Sequence, residues 1–271
     1  MHAIAAQNLG STPLADAYQS DGFASPVPII SSREAAEHRA MMEAVEAEHG
    51  PLHYISKAHT ILDFAAKAAT HPTALDAVEQ MIGPDVMLFD VTYIVKEPHA
   101  ESFVSWHQDL TYWGLSSDEQ VSMWLALSPA NADSGCMRMV PGSHTQGKLA
   151  HEDSADENNV LFRGQSVKDV SESDAVLCPL APGEASFHHG WTLHASMPNQ
   201  SDDRRIGLNV QYIAPSVRQL INRNETATLV RGKDDFGHYQ PDIFATGVME
   251  PEALERHAEL ERKRKETWAN A

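Results

Sequence analysis

A histidine and an aspartate separated by one residue, His107 and Asp109, are the pair in this chain best suited to bind a metal ion. Side chains alternate along a strand, so residues i and i+2 point to the same face and can converge on one ion. One further histidine would complete a facial triad, which holds non-haem iron(II) and leaves other positions open. The sequence therefore predicts a metal site at a strand end, just before a turn at residues 110–114.

The third ligand has to be chosen among three histidines that follow a Pro-Gly turn, His188, His189 and His194. His188 and His189 are adjacent and would face opposite sides of a regular strand. His194 comes at the end of the run, before the polar segment 195–203, and Arg205 follows eleven residues after it. We therefore favour His194 as the ligand and keep His189 as the alternative. Otherwise His188 and His189 are expected to pack near the site.

Arg205 would place a permanent positive charge close to this candidate site. A guanidinium binds a carboxylate through two parallel N–H groups and stays charged at physiological pH. The usual co-substrate of such an iron site is 2-oxoglutarate, whose far carboxylate needs a partner of this kind. We expect Arg205 to begin a strand that pairs with the strand before it, so that its side chain reaches beneath the metal.

The elements that must position these residues change in character along the chain. Good helix formers dominate three segments of the first third, at about 33–49, 58–70 and 72–82, whereas residues 1–30 read as polar and irregular. Short apolar, β-branched runs follow, and they predict strands at 86–95, 102–107, 121–127, 136–140, 175–180, 184–188 and 206–213. Many short strands without intervening helices favour a sandwich or barrel over a parallel α/β sheet.

A chain of 271 residues is long enough to form one domain with a full hydrophobic core. We expect a single domain over 1–271, with a mostly helical part at 1–84, a β core at 85–215 and a charged helix at 249–269. The polar segment 145–174 is longer than an ordinary connection. It is either a lid or binding loop, or a solvated insertion.

Charge and composition limit the classes of partner. The chain has 38 acidic and 20 basic side chains, a formal net charge of −18. Nucleic acids and anionic membranes require a basic surface, so neither is expected as a partner. The two cysteines, Cys136 and Cys178, lie in apolar runs and do not suggest a disulfide framework. Without a signal-peptide pattern or a membrane-spanning apolar run, we expect a cytoplasmic protein of undetermined oligomeric state.

Three stretches of the sequence resemble the phytanoyl-CoA dioxygenase family. They are Ser105–Trp113, which reads SWHQDLTYW, Gly135–His144, which reads GCMRMVPGSH, and His194–Asn199, which reads HASMPN and runs on to Arg205. The resemblance continues from about Tyr18 to Tyr239. It implies a mainly β fold with flanking helices around a double-stranded β-helix (jelly-roll, cupin-like) core. It also implies a dioxygenase that uses iron(II), 2-oxoglutarate and O2, with ascorbate as a reductant, and that releases succinate and CO2.

The resemblance also implies roles for single residues. His107, Asp109 and His194 match the iron ligands. Arg205 and Ser196 match contacts to the C5 carboxylate of 2-oxoglutarate. Gln108 and Trp124 match positions that line its pocket, and either Thr92 or Tyr93 matches a further such position. Halogenating relatives lack the carboxylate ligand, so Asp109 indicates hydroxylation rather than chlorination. Two departures are Ala195, where relatives often have glycine, and a C-terminal sequence unlike a peroxisomal signal.

The substrate is not determined by these patterns. We expect a small polar metabolite, because no long apolar segment suggests a lipid tunnel. Candidate contacts are aromatic residues for a methylammonium group (Tyr112, Trp113 and Trp191) or cations for a phosphonate or carboxylate (Arg138, Lys148 and Arg163). The competing class is a non-catalytic jelly-roll protein that binds a metal or ligand, although such a protein would not need both Arg205 and Ser196.

Overall fold

The structure is a computed structural model that describes residues 13–153, 156–161, 166–221 and 224–268, with the backbone alone for 266–268. Its helices are α1 (Leu14–Asp21), α2 (Ser32–His49), α3 (Asp63–Ala69), α4 (Pro72–Ile82), α5 (Leu110–Trp113) and α6 (Pro251–Trp268). Its strands are β1 (Phe23–Pro28), β2 (Val86–Lys96), β3 (Val104–His107), β4 (Gln120–Ala126), β5 (Met137–Met139), β6 (Val176–Cys178), β7 (Glu184–His188), β8 (His194–Ser196), β9 (Arg205–Ile213) and β10 (Thr228–Arg231).

The strands form two antiparallel sheets. The larger has the order β1-β7-β4-β9-β2-β10 and the smaller the order β3-β8-β5-β6. Non-consecutive strands are therefore neighbours in both sheets, as in a jelly roll. The predicted mainly β jelly-roll core with flanking helices is confirmed.

The main hydrophobic core lies between the helices and one face of the larger sheet. It contains Met42 and Val45 of α2, Phe64 of α3 and Val78 of α4, packed against β2, β4, β7 and β9. On β9 the core residues alternate, Ile206, Leu208, Val210 and Tyr212. The intervening residues therefore face the smaller sheet, and this alternation gives the larger sheet a second face that can carry a site.

Capping residues fix where the helices begin. Ser31 precedes α2 and forms a capping box with Glu34, in which each residue's side chain bonds the other's backbone N–H. Pro72 begins α4, where its missing N–H costs no helical hydrogen bond. The His38 ring of α2 contacts the Tyr93 hydroxyl of β2 at 2.7 Å, which joins this helix to the sheet. Tyr93 therefore belongs to the core, away from the site.

The expectation that residues 1–30 are irregular is wrong for the part that the structure describes. Residues 14–21 form α1, and residues 23–28 form β1, which pairs with β7. Pro26 and Pro28 argued against a strand in the sequence, because proline cannot donate a hydrogen bond to a neighbouring strand and is tolerated mainly at a sheet edge. β1 is such an edge, and β10, also absent from the prediction, is the opposite one. No helix among the described residues is long and apolar enough to cross a membrane.

Candidate active site

His107, Asp109 and His194 come together at one point between the two sheets. One ligand atom from each lies within 4.8 Å of the others, and within the described part of the chain this is the group that could hold a metal ion. The His107 and His194 Nε2 atoms lie 3.4 and 3.6 Å from Asp109 Oδ1. The donor set of two imidazoles and one carboxylate fits a divalent first-row metal such as iron(II).

Two different local structures place these ligands. His107 ends β3 and His194 begins β8, and the two residues are directly opposite each other in the register of this strand pair. Asp109 is not on the strand: its φ and ψ are −58° and −46°, and it immediately precedes α5. The expectation that strand alternation aligns His107 with Asp109 is therefore wrong, because the strand ends at His107. The helical conformation of Asp109 instead turns its carboxylate towards His107.

Each histidine ligand is held by its other ring nitrogen. His107 Nδ1 donates to Ser105 O and His194 Nδ1 to Thr192 O, both at 2.9 Å, which assigns the unprotonated lone pair to Nε2. Burial, reinforced by the neighbouring His107, lowers the pKa of His194 well below its usual value. Its imidazole is therefore neutral, as a metal ligand requires.

The second oxygen of Asp109 is fixed by the larger sheet. Oδ2 lies 3.1 Å from the Ser122 hydroxyl, which donates to it, and 3.3 Å from His188 Nε2. Ser122 on β4 and His188 on β7 are register partners. Burial alone would raise the pKa of Asp109, but the histidines around it, His194 first and then the hydrogen-bonded His188, hold that pKa well below its usual range. The carboxylate is therefore ionised, and Oδ1 is left to face the metal.

The two alternative histidines have different places. His188 ends β7 in the larger sheet and lies within the site, although it is a partner of Asp109 rather than a member of the triad. His189 points away, with its ring against those of Tyr18 and His144 at 5.8 and 5.4 Å between centroids. The segment 184–196 is two strands, β7 and β8, which belong to different sheets, and this break separates His194 from His189.

Arg205 lies across the cavity from the smaller sheet. The expectation that its strand pairs with the preceding one is wrong: β9 pairs with β2 and β4, and β8 pairs with β3 and β5. Arg205 is the first residue of β9, and its side chain falls on the face opposite the core residue Ile206. It therefore reaches the site from the opposite sheet.

The Arg205 guanidinium is 2% exposed and has few protein partners. Nη1 donates to Gly135 O at 2.5 Å, the Trp124 ring lies 5.1 Å away, and Nε has no hydrogen-bond partner among the described residues. Gly207 makes room for this ring, since a Cβ there would lie 2.0 Å from Trp124. Burial lowers the pKa of Arg205 to about 10, so it is still a cation at neutral pH. A buried cation without a carboxylate partner indicates an anionic ligand.

Of the other predicted pocket residues, Ser196 and Trp124 line the cavity and Gln108 does not. The Gln108 amide nitrogen donates to Gly147 O and Trp191 O at 2.7 and 2.8 Å, and its oxygen accepts from Leu149 N at 2.8 Å. Gln108 thus ties the triad segment to residues 147–149. Thr92 is buried and does not line the cavity.

Lys96, which the sequence reasoning missed, lies beside Arg205. It ends β2, is 2% exposed, and is directly opposite Arg205 in the register of β2 and β9. Its Nζ donates to Ser196 Oγ at 2.8 Å. The signal available in the sequence was a lysine that continues the apolar strand run 86–95.

The cavity above the triad has a volume of about 1000 Å³. Its outer part is lined by Tyr112 and Trp113, by residues 148–151 and Leu161 of the predicted insertion, and by Lys265 of α6. The insertion 145–174 thus forms part of the wall. Of the other substrate candidates, Trp191 does not line the cavity, Arg138 pairs with Glu172 and stacks on Trp106, and Arg163 lies outside the described residues.

Comparisons with known proteins agree with this geometry. The family model described as phytanoyl-CoA dioxygenase matches residues 18–207. Phytanoyl-CoA dioxygenase domain-containing protein 1 of Mus musculus is 29% identical over 152 residues, 54% of this chain and 52% of that protein. The 1-deoxypentalenic acid 11-beta-hydroxylase of Streptomyces arenae is 30% identical over 145 residues, 49% of this chain and 50% of that protein. The chain thus spans about half the length of these relatives.

A third curated relative and two solved structures extend the comparison. The probable alpha-ketoglutarate-dependent hypophosphite dioxygenase of Stutzerimonas stutzeri is 24% identical over 63% of this chain and 60% of that protein. The non-heme monooxygenase ThoJ superposes with a TM-score of 0.83 at 29% identity, covering 96% of this chain and 100% of that one. CytC3 with Fe(II) and alpha-ketoglutarate shares the fold, with a TM-score of 0.66 at 19% identity over 89% and 98% of the two chains.

Proposed function

Because this chain belongs to the phytanoyl-CoA dioxygenase family, we propose that it is an oxygenase that uses iron(II) and 2-oxoglutarate to hydroxylate a C–H bond of a small polar metabolite. Iron(II), 2-oxoglutarate and O2 are the cofactors of this family, as predicted. The single observation that carries the proposal is the joint presence, in one cavity, of the His107–Asp109–His194 group and the buried Arg205, which has no carboxylate partner in the described part of the chain.

His107, Asp109 and His194 would hold the iron, and their neighbours would keep them in position. When bound, iron(II) would activate O2 for oxidation of the substrate C–H bond. 2-Oxoglutarate would be oxidised by the same O2 and decarboxylated to succinate and CO2. Ser122 and His188 orient Asp109, while Ser105 O and Thr192 O orient the two imidazoles. The protein thus contributes a fixed set of donors on one side and an open cavity on the other.

Arg205 and Ser196 would bind the far carboxylate of the co-substrate. Both line the cavity, and Arg205 offers a buried positive charge that no described carboxylate neutralises. The Trp124 ring lies against the guanidinium and helps to exclude water from it. In such a dry environment a charge-assisted pair is strong, and this binds the co-substrate in one orientation.

A small polar substrate fits the outer part of the cavity. Thr111 Oγ1 and Tyr112 Oη are buried and have no hydrogen-bond partner among the described residues, and both residues line the cavity. Lys148 and Lys265 also line the cavity. The relatives' names include substrates as different as hypophosphite and 1-deoxypentalenic acid, so they do not define one substrate class. Since Asp109 occupies the carboxylate position, we propose hydroxylation rather than halogenation.

The test of the proposed function is succinate formation from 2-oxoglutarate with iron(II), ascorbate and air. We expect release above background without the true substrate, and further stimulation by members of a metabolite library. Asp109→Ala should abolish both, because it removes one metal ligand. Binding of metal and 2-oxoglutarate without turnover across the library would instead support the non-catalytic metal- or ligand-binding jelly-roll protein.

Replacing Arg205 tests the co-substrate subsite. Arg205→Ala should raise the KM for 2-oxoglutarate by about 30-fold or more, because loss of a buried charge partner costs about 2–5 kcal/mol. Arg204→Ala is the matched control, since this neighbouring guanidinium points away from the site and pairs with Glu46 and Glu97. Initial rates against 2-oxoglutarate concentration measure both variants. An unchanged KM in Arg205→Ala would contradict the assignment.

A further inference from the structure

Lys96 and Arg205 are two buried basic side chains without an acidic counterion among the described residues. Each is 2% exposed, and they are register partners on neighbouring strands. Neither makes an ion pair with a carboxylate in the described parts of the chain. The charged and titratable groups that influence Lys96 are Arg205, Cys136 and Arg138; none is a carboxylate, and burial raises the pKa of the Cys136 thiol to about 11, so it is neutral near pH 7. Two adjacent buried cations repel each other, so the protein alone does not stabilise both charges.

Three oxygen atoms surround Lys96 Nζ, namely Ser196 Oγ at 2.8 Å, Ser196 O at 3.3 Å and Met197 O. The two carbonyls can only accept hydrogen bonds, whereas the Ser196 hydroxyl can accept or donate. A neutral amine has two N–H groups for the carbonyls and a lone pair that accepts the Ser196 hydroxyl hydrogen. An ammonium group donates to all three oxygens. The contacts therefore satisfy both protonation states.

The direction of the Ser196 hydroxyl hydrogen depends on which state is present. Beside a neutral Lys96 that hydrogen points to Nζ, and Ser196 can offer a cavity ligand only lone pairs. Beside a protonated Lys96, Ser196 Oγ accepts from Nζ, and its own hydrogen is free to donate into the cavity. Burial, followed by the charge of Arg205, lowers the pKa of Lys96 to about 6, so the ligand-free site has a neutral amine at pH 7.5.

We propose that Lys96 takes up a proton when a dicarboxylate binds at Arg205, and that this proton releases the Ser196 hydroxyl to donate to the bound carboxylate. The proposal rests on the proposed function only in taking 2-oxoglutarate as that dicarboxylate. The proton comes from solvent and adds to the Nζ lone pair, and no covalent bond other than this N–H forms. The bound anion supplies the missing countercharge, which raises the pKa of Lys96 in the complex. Lys96 is thus a positioning residue, which acts through Ser196 and through its charge.

Linkage gives the sign of the pH dependence. Below about pH 6 Lys96 is already protonated in the free protein, so binding takes up no proton at this group. Above that value and below the pKa in the complex, binding takes up one proton, and 2-oxoglutarate affinity falls about tenfold per pH unit. We expect the weakening to begin near pH 6 and to continue through pH 8.

Calorimetry of 2-oxoglutarate binding to the zinc-loaded protein tests this, because zinc permits binding without turnover. Titrations at pH 7.5 in two buffers of different ionisation enthalpy give the number of protons taken up per ligand. The wild type should exceed Lys96→Met by up to about one proton, since a single group is removed. Between pH 6.5 and 8 the affinity of Lys96→Met for 2-oxoglutarate should also not show the steep fall with rising pH that is expected of the wild type. Lys67→Met, at an exposed lysine on α3, should behave as the wild type.

Ser196→Ala separates the two parts of the proposal. This variant should keep the proton uptake, because Lys96 still gains its countercharge, but should bind 2-oxoglutarate more weakly. In the double variant with Lys96→Met the two losses should not add, since both changes remove the same hydroxyl contact. Equal proton uptake in wild type and Lys96→Met would overturn the proposal. If 2-oxoglutarate binds the wild type and Arg205→Ala weakens that binding, but proton uptake is equal in wild type and Lys96→Met, the Lys96 proposal fails and the proposed function stands.

A measurement on the wild type keeps the proposal testable if Lys96→Met does not fold. In carbon-13 NMR of lysine-labelled, zinc-loaded protein, one Cε signal should titrate near pH 6 without ligand and be protonated at pH 7.5 with 2-oxoglutarate. Lys57, which is buried as deeply, lies 3.2 Å from Asp242 and 3.5 Å from Glu225, so it has the acidic partners that Lys96 lacks. Absence of any lysine signal titrating between pH 5 and 8 in the ligand-free protein would contradict the proposal.

Discussion

At the scale of single residues, the site depends on side chains that do not bind the metal themselves. His188 and Ser122 both contact Asp109 Oδ2, and they reach it from adjacent strands of the larger sheet. The ligand itself comes from the smaller-sheet side, just after β3. These contacts therefore fix the carboxylate across the gap between the sheets, which leaves Oδ1 in the position that faces the two imidazoles.

Replacement of His188 should weaken metal binding without removing a ligand. His188→Ala is expected to lower the affinity for iron(II) or zinc by about 10- to 100-fold, the usual effect of losing a partner that orients a ligand. His189→Ala is the matched control, because that ring lies against Tyr18 and His144. Competition with a chromogenic chelator measures both affinities. Equal affinities of the two variants would show that His188 does not hold Asp109.

At the scale of elements, the C-terminal helix α6 is joined to the sheet by a buried ionic cluster. Arg264 contacts Glu225, Asp90 and the Ser56 hydroxyl, and its side chain is 15% exposed. The next residue, Lys265, lines the cavity. Because the two residues are consecutive on one helix, the anchoring of Arg264 determines where Lys265 lies. The cluster thus links the end of α6 to the wall of the site.

Removing this anchor should destabilise the protein and move the helix end. Arg264→Gln is expected to cost about 2–5 kcal/mol, because it leaves buried carboxylates with one cation fewer. Arg262→Gln changes an exposed arginine that pairs with Glu259 on the same helix, and should cost less than about 1 kcal/mol. Urea unfolding followed by fluorescence gives both midpoints. Similar midpoints for the two variants would mean that α6 is held mainly by other contacts.

At the scale of the whole molecule, the two faces of the larger sheet have different tasks. One face packs on the helices and contains the main hydrophobic core, while the other borders a cavity of about 1000 Å³. Arg205 Nε and Tyr112 Oη, on residues that line the cavity, have no hydrogen-bond partner among the residues that the structure describes. The core stabilises the fold, and the unpaired groups are available to bind ligands. Ligands that bind only the folded state should therefore stabilise it.

Metal and co-substrate should raise the melting temperature together. At a hundredfold excess over its dissociation constant, one ligand adds about 2.7 kcal/mol. For a chain of this size that corresponds to a rise of about 5–10 °C. Differential scanning fluorimetry with zinc and 2-oxoglutarate, before and after EDTA, measures the effect. Asp109→Ala should show little metal-dependent rise, and identical melting of EDTA-treated and metal-loaded wild type would contradict the metal assignment.

Much of the local structure could be predicted from the sequence. Helix formers, caps and Gly-Pro stops defined α2 and α4, and apolar runs defined the long strands β2, β4 and β9. The edge strands β1 and β10 were missed, because β1 contains prolines and edge strands pair on one side only. The alternation that puts Arg205 opposite Ile206 was also visible, since it depends on neighbouring residues alone.

By itself, the sequence determined the residue types of the site and the spacing that brings His107 and Asp109 to one strand end. Only the tertiary structure decided that Asp109 turns in through a helical residue, that His194 and not His189 faces it, and that Lys96 lies beside Arg205. It also decided that the Gln108 side chain bonds the backbone of residues 147–149 and does not line the cavity. The physical reason is range: strand and helix patterns arise from neighbours in the chain, whereas these contacts depend on the order in which distant strands pair.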